Sequence, residues 1–388
     1  MAKTVIIGGS IMGSSIAYHM AMVGHAGDIV VIEPDPSYEW AAAPRSSGGV
    51  RLMHGLPENI EMSRYGQEVY KDFARLMDVD GEPGQFDFKE YGYLSMVAGA
   101  ENVAIVEGNC RVQNEQGVPN VVLDAAALAK RFPSFNVEGI DAALHAPGDG
   151  FIDPHAAVIG FRRKAISLGV EYIQDKVVGF DANDTKVERV VLESGRRLDA
   201  DRVVNVAGAW GPALCNMVGM KVPVEPLQRE TFYFETRAEL EDLPLTKDVD
   251  GVSFRQEGAG YTAGFTRKDK PSGFNWDIEP DLFDKIIWPS LANRVPKFES
   301  LKLMRSWCGH YALNHMDGNT IIGPWVGGLE NFYVATGFSG AGLQKGPAIG
   351  RAMTELLLYG EYQTLDLSRM SYQRVIDNEP LVETGFTA

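Results

Sequence analysis

The stretch VIIGGSIMGSSIAYHMAMVG, residues 5–24, decides how this chain is read. Just before and into it, Lys3 to Ile7 is a short apolar run rich in β-branched residues, as a buried parallel strand requires. Gly8, Ser10 and Gly13 then fall on the three glycine positions of G-x-G-x-x-G, with serine at the second. Ile11, Met12, Ile16, Met20 and Val23 recur at helical spacing, and Gly24 stands where a C-terminal cap belongs. A second strand, DIVVIE, ends on Glu33, 20 residues beyond Gly13. At that distance an acid meets the adenosine ribose hydroxyls and repels a 2′-phosphate. The pattern predicts a dinucleotide-binding turn between strand and helix. Ser10 is small enough for the turn to survive, and its hydroxyl can donate to a phosphate oxygen beside the positive end of the helix. The competing reading is a glycine-rich turn that only packs helix on strand.

The rest of the composition narrows the class. A chain of 388 residues, 45% hydrophobic and 23% charged, buries a large core and is expected to form two domains. Its apolar runs fall well short of the ~20 residues a membrane helix needs, so no membrane span is expected. A strand at Lys3 leaves no room for a secretory signal, and the expected location is cytoplasmic. Cys110, Cys215 and Cys308 are widely spaced and unpaired in sequence, which argues against a disulfide framework or a metal site. A net charge of −16 opposes nucleic-acid binding.

Further along, the text departs from a nicotinamide domain. AAAPRSSGGVRLMHG, residues 41–55, is a loop dense in small residues with two arginines, suited to wrapping an extended ligand. Three short β-runs after Val170 read as a meander, and DRVVNVAGAWG, residues 201–211, returns the chain to the first sheet. ENFYVATGFSGAGLQKGPAIGRAMTELL, residues 330–357, reads as strand, glycine-rich loop and amphipathic helix, with Ile349, Ala352, Met353, Leu356 and Leu357 on one face and Pro347 in the first turn. Both ends of the chain are therefore expected to build one sheet.

Taken together, the first turn with its Glu33, the RSSGG loop, VAGAWG and GFSGAGLQ resemble the FAD-dependent D-amino-acid-oxidase superfamily. The nearest branch is that of sarcosine oxidase, glycine oxidase and dimethylglycine-dehydrogenase-like enzymes. The resemblance implies an α/β, Rossmann-like FAD-binding domain with an α+β second domain built on a mostly antiparallel sheet. The first would draw on residues 1–78, 148–217 and 308–388, and the substrate domain on 79–147 and 218–307. Gly8, Ser10, Ile11 and Met12 would hold the pyrophosphate and Glu33 the ribose. Arg45, Ser46, Ser47, Gly48 and Gly49 would line the ribityl chain and ring, with Arg51 beside them. Val177, Ala207 and Gly208 would meet the adenine end, and Gly337, Phe338, Ser339, Gly340, Leu343 and Gln344 the pyrimidine side. Amide groups opening the last helix, with Arg51 and Lys345, would stabilise the negative charge that hydride transfer places on the ring.

Covalent attachment is not expected. Gly309 stands at the flavin-linking Cys of sarcosine oxidases, with Cys308 one position off. Ser46 and Ser47 replace the linking His of the dimethylglycine-dehydrogenase type. The implied reaction is oxidation of a C–N bond of an amine or N-substituted amino acid, by hydride transfer to flavin N5 followed by imine hydrolysis. Catalysis then rests on positioning, and the substrate-facing candidates are Arg51, His54, Tyr261, His310, Tyr311 and Lys345. The carboxylate-gripping Arg of glycine oxidases is absent, so Arg51, Arg255, His310 or Lys345 would take a carboxylate. Thr262 stands where sarcosine oxidases carry a lysine that assists oxygen; the acceptor is oxygen, a quinone or an electron-transfer protein. A reading of another class is a flavin-binding assembly or scaffold protein of the same fold without turnover. A third, the RNA-modifying branch, is disfavoured by the acidic balance.

Overall fold

The structure, a computed structural model, describes residues 3–267 and 270–383. The β-branched opening run forms the strand Thr4–Ile7, buried along its whole length at the centre of a six-stranded sheet. On one side lie Ile29–Ile32 and Glu171–Ile173, on the other Arg202–Asn205, Phe332–Thr336 and Ile321–Pro324. All pair in parallel except the last, an antiparallel edge. Both chain ends and the middle thus share one sheet. Meander strands Val177–Ala182, Val187–Leu192 and Arg197–Asp199 form a separate antiparallel sheet.

Helices Ile11–Met22 and Gly342–Tyr359 pack against each other. Their approach depends on small residues, since a Cβ at Gly350 would overlap the Ser15 hydroxyl. Ile6, Ile16, Val31, Ile349 and Met353 are fully buried between sheet and helices. Pro347 lies in the second turn of the last helix rather than its first. Proline has no N–H for the Leu343 carbonyl, and the Tyr70 hydroxyl donates to that oxygen instead, at 2.6 Å. The helix therefore continues unbroken.

The second sheet has eight strands: Lys302–Asn314, Val224–Glu235, Gly260–Phe265, Val252–Glu257, Leu245–Lys247, Tyr93–Val97, Ala142–Ala146 and Val121–Asp124, in that spatial order. It is antiparallel apart from the parallel pairing of 245–247 with 93–95. Alternation in VEPLQRETFYFE places Phe232 and Phe234 on one face, where they join Phe254, Tyr261 and Phe298 in an aromatic core. A wide π-type turn, Phe283–Ile287, and the helix Trp288–Arg294 pack on this face. Pro289 opens that helix, where its missing N–H costs no bond. The domain boundary expected at 308 falls inside one continuous strand, Lys302–Asn314, so the chain leaves this sheet only after Asn314. No helix among the described residues is long and apolar enough to cross a membrane.

Candidate functional site

Between the two sheets lies a cavity of about 690 Å³. The first turn, the 40–47 loop, the 206–210 turn, the start of the last long helix and the polar face of the eight-stranded sheet wall it.

The first turn is tight and closes on glycines. Gly8 has φ +102°, which only glycine adopts freely, and a Cβ at Gly13 would overlap the Gly8 carbonyl oxygen. Glu33 closes the turn, accepting from the Gly9 N–H at 2.8 Å and the Asp35 N–H at 3.0 Å, while burial raises its carboxyl above the usual range. The Ser10 hydroxyl is buried without a partner among the described residues, at the N-terminus of the 11–22 helix. Gly8, Ser10, Ile11, Met12, Glu33, Val177, Ala207 and Gly208 all line the cavity.

Across from this turn, Ser339 holds a left-handed φ of +47° between Gly337 and Gly340, themselves at +72° and +89°. The Asn314 N–H donates to the Ser339 hydroxyl at 3.1 Å, and the Ser339 N–H donates to the Ala312 carbonyl at 3.0 Å. The strained turn is thus over-determined by the adjacent strand, and it aims the N-terminus of the 342–359 helix at the cavity. Phe338, Gly340 and Leu343 line the cavity, whereas Gly337 and Ser339 support them from behind.

The RSSGG loop divides by function. Arg45, Ser46 and Ser47 line the cavity. Arg45 donates to the Cys308 carbonyl at 2.7 Å and lies 4.8 Å from the Trp40 ring centroid. Gly48, with φ +69°, and Gly49 turn toward the 150–152 segment: a Cβ at Gly48 would overlap the Ile152 carbonyl, and Gly49 pairs with Phe151.

Arg51, His54, Gln344 and Lys345 lie outside the cavity wall, in a buried polar network behind it. The Arg51 N–H donates to Gln344 Oε1 at 3.2 Å, and its guanidinium lies 5.7 Å from the Tyr93 ring centroid. Gln344 Nε2 therefore donates to His54 Nε2, at 2.7 Å. Lys345 donates to Asn59 Oδ1 at 2.8 Å, and Asn59 donates to the tail carboxylate Glu383 at 2.8 Å. Burial pushes Lys345 down to about 8 and His54 down to about 4.

On the eight-stranded sheet, alternation separates the candidates. Tyr311 faces the cavity with Arg229 and Thr262. Its hydroxyl is buried without a partner among the described residues, and the Arg229 guanidinium lies 4.9 Å from its ring centroid. Tyr261, one residue before Thr262, points the other way. It stacks on Phe234 at 5.6 Å and belongs to the aromatic core, so it does not shape the cavity. The His310 backbone borders the cavity, but its ring turns outward against Trp276 at 4.3 Å, and its Nε2 accepts from the Asn275 N–H at 3.0 Å. Cys308 likewise points away, toward the Trp276 carbonyl at 3.4 Å. Arg255 is committed to Glu257 and to the Ser47 carbonyl, tying sheet to loop.

The model of a family described as FAD dependent oxidoreductase matches residues 3–356. The chain is 35% identical to FAD-dependent oxidoreductase domain-containing protein 1 of Xenopus laevis over 98% of this chain and 84% of that protein. It is 26% identical to mitochondrial dimethylglycine dehydrogenase of Rattus norvegicus, covering 93% of this chain and 43% of that protein. Among solved structures it is similar to L-proline dehydrogenase of P. horikoshii, with TM-score 0.88 and 24% identity over 98% of this chain and 99% of that one. The chain belongs to the FAD-dependent oxidoreductase family.

FAD, this family's cofactor, fits what the residues offer. The orphaned Ser10 hydroxyl, the Gly8–Gly13 cradle and the positive helix end suit a pyrophosphate. The N-terminus of the 342–359 helix suits an electron-rich ring edge. No linking side chain faces the cavity where the resemblance would put one, since Gly309 packs on the Arg45 side chain and Cys308 points away. Three features of this FAD-dependent oxidoreductase escape a reading of its sequence. Arg229 and Lys247 sit on the polar face of strands whose partners are distant in sequence. Glu383 reaches back over 300 residues to the Gly55 and Leu56 amides. Only the alternation around Arg229 in LQRETF carried a signal, and it gave a face but not what that face meets.

Proposed function

We propose that this protein oxidises the C–N bond of a secondary amine, such as an N-substituted amino acid, in the cavity beneath Tyr311 and Arg229. FAD, when bound, supplies the two-electron acceptor for hydride leaving the carbon next to nitrogen. The nitrogen's own proton passes to solvent, and water cleaves the resulting imine to a carbonyl compound and a smaller amine. Gly8, Ser10 and Glu33 would hold the cofactor at one end, and Phe338, Gly340 and Leu343 at the other.

The observation that carries the reading is the unpartnered Tyr311 hydroxyl on a cavity wall that also carries Arg229. A buried hydroxyl without a bond is costly unless a ligand completes it, and a carboxylate beside an arginine does so. The same positive wall disfavours an ammonium ion, so the bound amine is held in the neutral form from which hydride leaves. Thr262 on that wall supports electron transfer to an acceptor other than oxygen.

The test is turnover with an artificial dye acceptor and a panel of N-methyl and N-carboxyalkyl amino acids. One carbonyl product should form per two electrons accepted, and Tyr311→Phe should slow it at saturating substrate. Dye reduction without carbonyl product would refute the reaction assigned here.

A further inference from the structure

Arg229 and Lys247 stand on one face of the eight-stranded sheet, on strands separated by 260–265 and 252–257, and neither meets a carboxylate among the described residues. Arg229 lines the cavity; among the described residues, besides lying over Tyr311, it donates only to the carbonyl of Gln228, at 3.3 Å. Lys247 ends the strand Leu245–Lys247 and stands directly opposite Ser253 in the antiparallel register. Directly opposed residues share a face, and both Ser253 and Leu245 line the cavity, so Lys247 belongs to the cavity side of the sheet, next to the lining residues rather than among them. Among the described residues its ammonium meets neither a carboxylate nor a hydrogen-bond acceptor.

Carboxylates of the same region are engaged elsewhere. Glu230 pairs with Lys270 at 2.6 Å, and Glu257 pairs with Arg255. Asp149 accepts from the Leu52 N–H at 3.0 Å, and burial, only partly offset by the nearby Arg51 charge, pushes its carboxyl up to about 7. Burial, with the charges of Arg51 and Arg229, pushes the Lys247 ammonium down to about 7. Desolvated cations crowded onto one wall are unfavourable unless an anion joins them. A single carboxylate bound at Tyr311 and Arg229 leaves Lys247 uncompensated.

We propose that Lys247, on the same sheet face as Tyr311 and Arg229, is the receptor for a second anionic group, so that the preferred substrate is an amine carrying two carboxylates. The inference rests on the amine-oxidation reading for its chemistry, but its test does not require turnover. Thiodiacetate carries two carboxylates around a sulfur in place of the amine nitrogen whose lone pair would drive hydride from the neighbouring carbon; methylthioacetate carries one. Each is titrated into the FAD-loaded protein and followed by the change in the flavin absorption band.

Thiodiacetate should bind about tenfold tighter or more, as expected for one further charge-assisted contact. Lys247→Met should reduce that preference to about threefold or less while leaving methylthioacetate affinity unchanged, and Lys247→Arg should restore it. Equal affinity of the two probes in the unaltered protein overturns the proposal whatever the variants do. So does a preference that survives Lys247→Met. Failure of every amine to react would sink the reading of function, while the two-probe comparison would still decide this site.

Discussion

The Tyr70 hydroxyl lies 2.6 Å from the Leu343 carbonyl oxygen, the oxygen that Pro347 leaves without a donor inside its own helix. A long-range contact thus completes the helix start from which Gly340, Gly342 and Leu343 line the cavity. A Cβ at Gly66, in the same helix as Tyr70, would overlap the Gln344 carbonyl, so the two helices meet along this line.

Tyr70→Phe removes the donor and leaves a buried carbonyl unsatisfied. Stability should fall by about 1–3 kcal/mol, read as a shift of the urea midpoint. Pro347→Ala in that background restores an N–H at the right position and should recover much of the loss. A double variant as unstable as Tyr70→Phe alone would contradict this account of the helix.

Gly13→Ala places a methyl group against the Gly8 carbonyl and must open the first turn. The overlap should cost about 1–3 kcal/mol of strain, and FAD should be lost on gel filtration while the fold, followed by circular dichroism, persists. Full flavin content in this variant would mean that the cofactor does not rest on this turn.

His54 sets a pH dependence. Its Nε2 accepts from the Gln344 amide and the Ser63 hydroxyl, leaving the ring proton on Nδ1, 3.5 Å from Glu383. Burial pushes the imidazole from its ordinary 6.5 down to about 4. Between those values the unfolded chain binds a proton that the folded chain refuses. Stability is therefore full above pH 6.5 and drains as pH falls toward 4, by roughly 3 kcal/mol for this one group. His19 and His145, also pushed down to about 4 by burial, drain in the same window. Burial alone would raise Glu383, but bonds from His54 and Gly55 and the Lys345 charge hold it below the usual carboxylate range, so its own contribution is lost only at lower pH. Urea midpoints between pH 7 and pH 5 should slope less in His54→Gln than in the unaltered protein. Identical slopes would remove His54 from the account.

Thr262 bears on the acceptor. The reduced protein should reoxidise slowly in air and rapidly with an artificial dye. Thr262→Lys should speed the air reaction by about tenfold or more, because a cation on the cavity wall stabilises the charge of reduced oxygen. Rapid reoxidation of the unaltered protein by air would remove the dehydrogenase side of this reading.

Legibility in the sequence followed the range of each interaction. The strand–turn–helix–Glu33 unit is local, and its pattern alone gave the strands and helix that the structure contains. The parallel placement of residues 202–205 and 332–336 beside it followed from the order of the motifs. Side-chain direction on the eight-stranded sheet was not legible, because register decides it and register is set by partners far along the chain. Tyr261 and His310 are adjacent to the cavity-facing Thr262 and Tyr311, and a one-residue step turned each ring to the other face. His54 and Lys345 fall behind the wall for a related reason: the charged residue that gathers them, Glu383, comes from the far end of the chain.

The most direct test of the central claim is an anaerobic titration of the purified FAD-loaded protein with N-methyl and N-carboxyalkyl amino acids, without any added acceptor. The account predicts that at least one such amine bleaches the flavin band fully, with the carbonyl product formed in equal amount. A flavin band unchanged by every amine, in protein that chemical reductant bleaches normally, would contradict it.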